Sequence, residues 1–337
     1  MTAAERIAQP LELPRLTLPG RVARSATELF CSTAEGHVTQ FEYQAYRELA
    51  EQPLGLIITG HTCVSPEGRA NPGQDAIYGD EFMEEQRQIA RIAKRFGVPC
   101  VLQVGHGGPK ARGSNGGLPV YSPDSMTEGQ IREVISAFGE AALRARECGF
   151  DGVQIHAAHE YLLSTFLYPQ YNHRTDAYGG SGNRRFRIVR EVLAEIKRVC
   201  GDKFPVFMKI NGDNVQEPEV YFRDLCAAAE TCLAEGLEAL EISGYHSCPK
   251  GAPEQPLFLE TALRLRRETD LPLMLVGGIR TLADMEQALN GGLQMVSLCR
   301  PLLRQPDFLR RLLAGEPSAC VGCNRCGGGF GCALRTA

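Results

Sequence analysis

Apolar residues recur along this chain in short runs, each bounded by glycine, proline or charge. Eight such runs stand out: 21–27, 54–60, 99–105, 150–156, 205–210, 237–243, 271–276 and 293–298. Runs that are apolar almost throughout predict parallel strands covered on both faces rather than strands with one wet side. Between them lie longer segments with apolar residues at helical spacing, such as 127–149 and 217–236. Thr127 at the start of the first, and Gly149 and Gly236 at the two ends, are helix punctuation. Eight strand–helix alternations in succession predict an α/β chain closed into a (β/α)₈ TIM barrel. We expect the barrel over 1–315 and a short cysteine-rich tail over 316–337.

A length of 337 residues is compatible with one such barrel. The formal net charge of −4 offers no cationic field for nucleic acid or an anionic membrane, which favours a small-molecule partner. The opening stretch MTAAERIAQPLELPRL has no leader pattern, and no apolar run is long enough to span a bilayer. The expectation is a soluble, cytoplasmic protein, and a homo-oligomer is compatible with it. Most of the thirteen cysteines are scattered singly through apolar segments, as buried thiols are.

In such a barrel the chemistry belongs at the C-terminal ends of the strands. The fourth run delivers His156, and the turn after it carries His159 and Tyr161. Zinc is the first thought for paired histidines, but HEYLL (159–163) breaks the H-E-x-x-H pattern at Leu163. Two imidazole N–H donors beside a phenol suit a different chemistry, in which a carbonyl oxygen is polarised while a proton is delivered nearby. Gln103 ends the third run and Lys209 the fifth. An amide and a fixed cation match the pyrimidine edge of a flavin, whose reduced form is negative near N1 and O2. GGIRT (277–281) and CRP (299–301) follow the seventh and eighth runs, where glycine N–H groups and an arginine suit a phosphate. No G-x-G-x-x-G and no Walker loop occurs, which disfavours a Rossmann domain. The longest loop candidate, 106–126, follows the third run and is placed to cover the site.

These residues resemble the Old Yellow Enzyme family of FMN-dependent NAD(P)H oxidoreductases. The likeness is carried by RSAT (24–27), GLIITG (55–60) with PEGR (66–69), LQVGHGG (102–108), GFDGVQIHAAHEYLLSTFLYP (149–169), NHRTDAYGGS (172–181) with NRR (183–185), VGGI (276–279) and CRPLLRQP (299–306). It implies that Ser25, Ala26 and Thr27 line the flavin near N5 and O4, with the backbone of Gly60 and His61 closing the pyrimidine side. It implies that Gln103 and Lys209 bind the pyrimidine ring, and that Gly277, Gly278, Cys299 and Arg300 hold the phosphate. His156 and His159 would grip the carbonyl of an activated alkene, and Tyr161 would be the proton donor. The implied cofactors are FMN, with NAD(P)H as electron donor.

Three departures stand out. Glu160 occupies a position where most relatives have glycine, and facing inward it would raise a histidine pKa or repel an anionic substrate. Lys209 replaces a common arginine, a point charge for a planar fork. Gly60 and His61 replace a small or acidic pair, which puts the His61 side chain near the substrate pocket.

The tail, CVGCNRCGGGFGC (320–332), spaces Cys320, Cys323, Cys326 and Cys332 as ligands of a [4Fe–4S] cluster, and the same four thiols suit zinc. Larger members of the family carry a cluster at a similar segment, with a longer gap to the fourth cysteine. A cluster-free tail stays open beside both. Two rival functions also stay open: a metal-assisted hydrolase using His156, His159 and Glu160, and a flavin-binding scaffold without turnover.

Overall fold

The structure is a computed structural model that describes residues 2–213, 216–245, 256–326 and 332. Among the described residues eight strands form a barrel, each inside or overlapping an apolar run: β1 (Val22–Arg24), β2 (Leu56–Cys63), β3 (Cys100–Gly105), β4 (Gly152–Ala157), β5 (Val206–Asn211), β6 (Ala239–Ser243), β7 (Leu273–Val276) and β8 (Met295–Leu298). They pair in parallel in that order, and β8 closes onto β1 to complete the barrel. The helix over Glu128–Cys148 starts at Thr127, whose side chain accepts from the Gln130 N–H. It ends at Gly149, whose φ of 90° an L side chain resists. The second expected helix runs Pro218–Ala234.

Two strands differ from their apolar runs. β1 spans three residues rather than seven, so Ser25, Ala26 and Thr27 already belong to the loop at the barrel mouth. β2 runs on to Cys63 through an irregularity between Ile58 and His61, so His61 lies within the strand rather than after it. A bulge of this kind re-aims side chains at a barrel rim.

Alternation along each strand decides what faces where. On β5, Val206, Met208 and Ile210 pack outward in the large cluster under the helices, while Phe207 points into the barrel. One inward step above Phe207 stands Lys209. The lower interior is a separate apolar cluster that includes Ala23, Leu56, Val101, Phe207 and Met295. Its open end is closed by a feature the apolar pattern did not reveal, a two-stranded antiparallel hairpin of Leu11–Glu12 and Thr17–Leu18. Arg15 in the hairpin turn donates to the buried Glu238 carboxylate through both its backbone N–H (2.7 Å) and its guanidinium (3.0 Å). With the bottom plugged, the interior opens only at the C-terminal rim.

The tail does not stand apart from the barrel. Cys326 and Cys332 form an antiparallel bridge and pack with Cys299 against Leu29, Cys31 and Leu303. Arg300 donates to Asn324 (2.7 Å), and Arg280 donates to the Cys320 carbonyl.

Candidate active site

A cavity of about 320 Å³ opens at the C-terminal rim, within the size range of small-molecule sites. It gathers side chains from every quarter of the barrel. Ser25, Ala26 and Thr27 form one wall, and Gln103 and Lys209 rise from the interior. His61, His156, His159 and Tyr161 form a second wall; Gly277, Gly278, Cys299 and Arg300 form a third. Gly60 alone among the expected flavin residues lies outside the lining. Its N–H is hydrogen-bonded at 3.0 Å to the Tyr46 hydroxyl, so that amide is already spent. Of the tail cysteines, Cys320 and Cys326 reach the cavity rim.

At the β4 end the His156 ring touches both the His159 and the Tyr161 rings. The ring of His156 lies 5.2 Å from that of His159 and 4.6 Å from that of Tyr161, centroid to centroid. His159 is held by its Nε2, 2.8 Å from Ser243 Oγ on β6, and by its backbone N–H, which donates to Asn211 of β5 at 3.2 Å. Burial drives both imidazoles well below their ordinary pKa. His159, His61 and the lysines Lys209 and Lys110 push His156 further, and the same lysines act on His159. Both are therefore neutral at pH 7. Burial, with the Glu28 carboxylate behind it, raises the Tyr161 phenol well above its usual value, so it keeps its proton. The site thus sets two neutral hydrogen-bonding rings beside a protonated phenol.

Glu160 turns away from this group. Its carboxylate accepts from Tyr171 (2.7 Å) and Tyr245 (3.0 Å) and pairs with Lys110 at 3.3 Å. Burial alone would raise the Glu160 pKa, but these partners outweigh it and hold it below the ordinary value. The condition under which Glu160 would raise a histidine pKa, an inward-facing carboxylate, is not met. The backbone carries a cost here: His159 and Glu160 have φ of 61° and 60°, a conformation that L side chains rarely adopt. The need for a left-handed residue explains why glycine suits this position.

His61 does project into the cavity. Its Nδ1 lies 3.0 Å from a Glu28 oxygen, and its ring sits 5.0 Å from that of Tyr161. On the third wall, Gly277 adopts φ 117°, and a Cβ there would come within 2.9 Å of the Phe258 ring. Only glycine leaves this turn open to the cavity. Arg280 joins Arg300 on that wall.

The sequence patterns missed Glu28, Lys110, Arg280, Gln154, Ser243 and Glu241. For Glu241 a signal existed, a charge in mid-strand where only a paired carboxylate is tolerated. Among the described residues, no group of three or more histidine, cysteine or acidic side chains is arranged to hold a metal ion. Buried polar atoms with no partner within the protein include His156 Nδ1, His61 Nε2 and Ser297 Oγ at the cavity lining and Glu241 Oε1 beneath it. Those at the lining are free to pair with a polar ligand in the cavity. A ligand with alternating donors and acceptors and an anionic end fits this donor set.

Comparison with known proteins agrees in both sequence and shape. Residues 6–318 match the family described as NADH:flavin oxidoreductase / NADH oxidase. The chain is 32% identical to an NADPH dehydrogenase of Halalkalibacterium halodurans over 307 residues, covering 88% of this chain and 90% of that protein. In shape it is similar to a 2-naphthoyl-CoA reductase, with a TM-score of 0.85 and 24% identity over 97% of this chain. That protein is longer, and the present chain spans 55% of it. It is also similar to the old yellow enzyme homologue of Zymomonas mobilis, with a TM-score of 0.81 and 22% identity, covering 93% of this chain and 94% of that one.

Proposed function

This chain belongs to the NADH:flavin oxidoreductase / NADH oxidase family, and from that premise we propose that its cavity holds FMN between the Ser25–Thr27 wall and the Gly277–Gly278 turn and reduces activated alkenes. It is an FMN-dependent NAD(P)H oxidoreductase. Bound FMN supplies a two-electron carrier that takes hydride from NAD(P)H and returns it to an alkene β-carbon.

The protein's own residues divide the remaining work. Lys209 and Gln103 would hold the pyrimidine edge, and Gly277, Gly278 and Cys299, with Arg300 and Arg280, would hold the phosphate. His156 and His159 grip the carbonyl oxygen of the substrate, drawing electrons from the β-carbon; donors of this type are worth about 3–4 kcal/mol each when removed from an oxyanion site. Tyr161 delivers a proton to the α-carbon. The observation that carries this reading is the neutral His156 imidazole in contact with both the neutral His159 ring and the protonated Tyr161 phenol in a single cavity. Glu160, tied to Tyr171 and Tyr245, is not placed as a hydrolytic base beside His156, which argues against the hydrolase reading.

The test is Tyr161→Phe in stopped flow. Hydride uptake from NADH or NADPH should continue, while reduction of cyclohexenone should slow by about 10² or more. Equal slowing of both halves would refute the proton-donor role. A pure protein without flavin colour would refute the whole reading.

The tail reading rests on spacing. C-x-x-C-x-x-C with Cys332 suits a [4Fe–4S] cluster, yet the described thiols are not gathered as ligands. Iron and acid-labile sulfide in equal, stoichiometric amounts after anaerobic purification would support it, and absence of both would remove it. The free cysteines throughout the described chain support a cytoplasmic placement.

A further inference from the structure

Lys209 is not a lone cation. Lys209 on β5 and Glu241 on β6 stand opposite each other in register. The ammonium lies 3.2 Å from Glu241 Oε2, and the two side chains are 3% and 0% exposed. The same carboxylate oxygen accepts from Gln154 Nε2 at 3.0 Å, and Gln154 Oε1 accepts from Gln103 Nε2 at 2.6 Å. On its other side Lys209 donates to Ser25 Oγ at 2.9 Å. An unbroken chain, Gln103–Gln154–Glu241–Lys209–Ser25, therefore crosses the barrel. Its two ends and Lys209 face the cavity, while Gln154 and Glu241 lie beneath the lining.

A carboxylate can only accept, and that fixes the direction of every bond leading to it. The Gln154 amide must turn its NH₂ toward Glu241 and so its oxygen toward Gln103. Gln103 must spend one N–H on Gln154, leaving its carbonyl oxygen and its other N–H for the cavity. Reversing either amide would set oxygen against oxygen. The second Glu241 oxygen has no partner, so this carboxylate stays in the barrel at the expense of an unsatisfied atom.

We propose that Glu241 is the positioning residue of the flavin site: it anchors the Lys209 ammonium, orients the Gln103 amide through Gln154, and cancels part of the lysine's field at the pyrimidine edge. This rests on the FMN reading above. The site then offers the cofactor an internal ion pair in place of a free cation. The reduced, anionic flavin gains less from it than from an uncompensated charge, and the midpoint potential is set lower.

The experiment is the midpoint potential of the FMN-loaded protein, measured against indicator dyes, with FMN affinity measured in parallel by fluorescence. Glu241→Gln removes the negative charge and should favour reduced over oxidised FMN about tenfold or more, a positive shift of about 30 mV for a two-electron couple. Lys209→Met should shift the potential the other way. The double variant Lys209→Met/Glu241→Met removes both charges and should return close to the wild-type potential. An unmoved potential in Glu241→Gln would overturn the proposal. So would a double variant displaced as far as Lys209→Met alone. If Glu241→Gln fails to fold because the ammonium is left unpaired, the double variant, which leaves no orphaned charge, decides the matter. Wild-type protein that binds no FMN would overturn the flavin reading itself; bound FMN with an unmoved potential would overturn only the role of Glu241.

Discussion

The lower and upper halves of the barrel interior are built on the same strands, one inward step apart. Val101 lies below Gln103, Phe207 below Lys209, Ala239 below Glu241, Met295 below Ser297 and Ala23 below Ser25. All ten are buried. Burial therefore does not separate core from site in this molecule. What differs is the state of the polar atoms: the lower half has no side-chain polar atoms in these positions, while the upper half carries a hydrogen-bonded chain with orphaned atoms at its edges. A closed apolar plug below and an under-satisfied polar layer above make one end of the cylinder a foundation and the other a receptor.

That division is open to attack from either side. The largest effect is expected below: Phe207→Ala should cost about 3–5 kcal/mol of unfolding free energy. Urea denaturation measures it, and a loss under about 1 kcal/mol would mean that the lower cluster is not the foundation. One step up, Gln154→Leu fills the space but strips partners from Gln103 and Glu241. It should cost about 1–3 kcal/mol and weaken FMN binding as well, a pairing of defects that Phe207→Ala should lack.

A smaller effect should appear with pH. An unfolded imidazole titrates near 6.5, whereas burial holds His156 and His159 well below that in the folded protein. Below about 6.5 the unfolded chain therefore takes up protons that the native state refuses. The stability is fully present above that pH and is lost as pH falls, by at most about 1.4 kcal/mol per unit for each histidine. The double variant His156→Asn/His159→Asn should lose less between pH 7 and pH 5 than wild type. Equal slopes would show that the folded imidazoles are not held neutral. Burial raises both Glu42, with the Asp75 charge adding to it, and Asp75, with the Glu28 charge adding to it. These carboxyls tilt stability the opposite way in both proteins, so they cancel in the difference. The smallest effect is expected outside the barrel: Cys323→Ser, at a residue that does not line the cavity, should leave FMN affinity unchanged and stability within about 1 kcal/mol. A loss of flavin on that change would move the tail from the rim into the site.

Much of this was legible beforehand. The eight apolar runs, the Thr127 and Gly149 punctuation and the placing of His156 at the end of β4, with His159 and Tyr161 just past it, are local signals. Each depends on residues close by in the chain. The features without a local signal are relational. Glu160 is held away from the histidines by Tyr245, 85 residues distant in the chain. His61 lies within β2 rather than after it, because a bulge leaves no clear mark on an apolar run.

The alternation of apolar residues, read every second position, was enough to establish strands, their number and which ends carry chemistry, because side-chain direction in a strand is a property of the backbone repeat. The partners of Gln154 and Glu241 were decided only when the strands closed into a cylinder. Register brings Lys209 opposite Glu241 from 32 residues away in the chain, and the single acceptor-only group then sets the polarity of its neighbours. Such pairings depend on which strands are adjacent and at what height, and no local pattern encodes that.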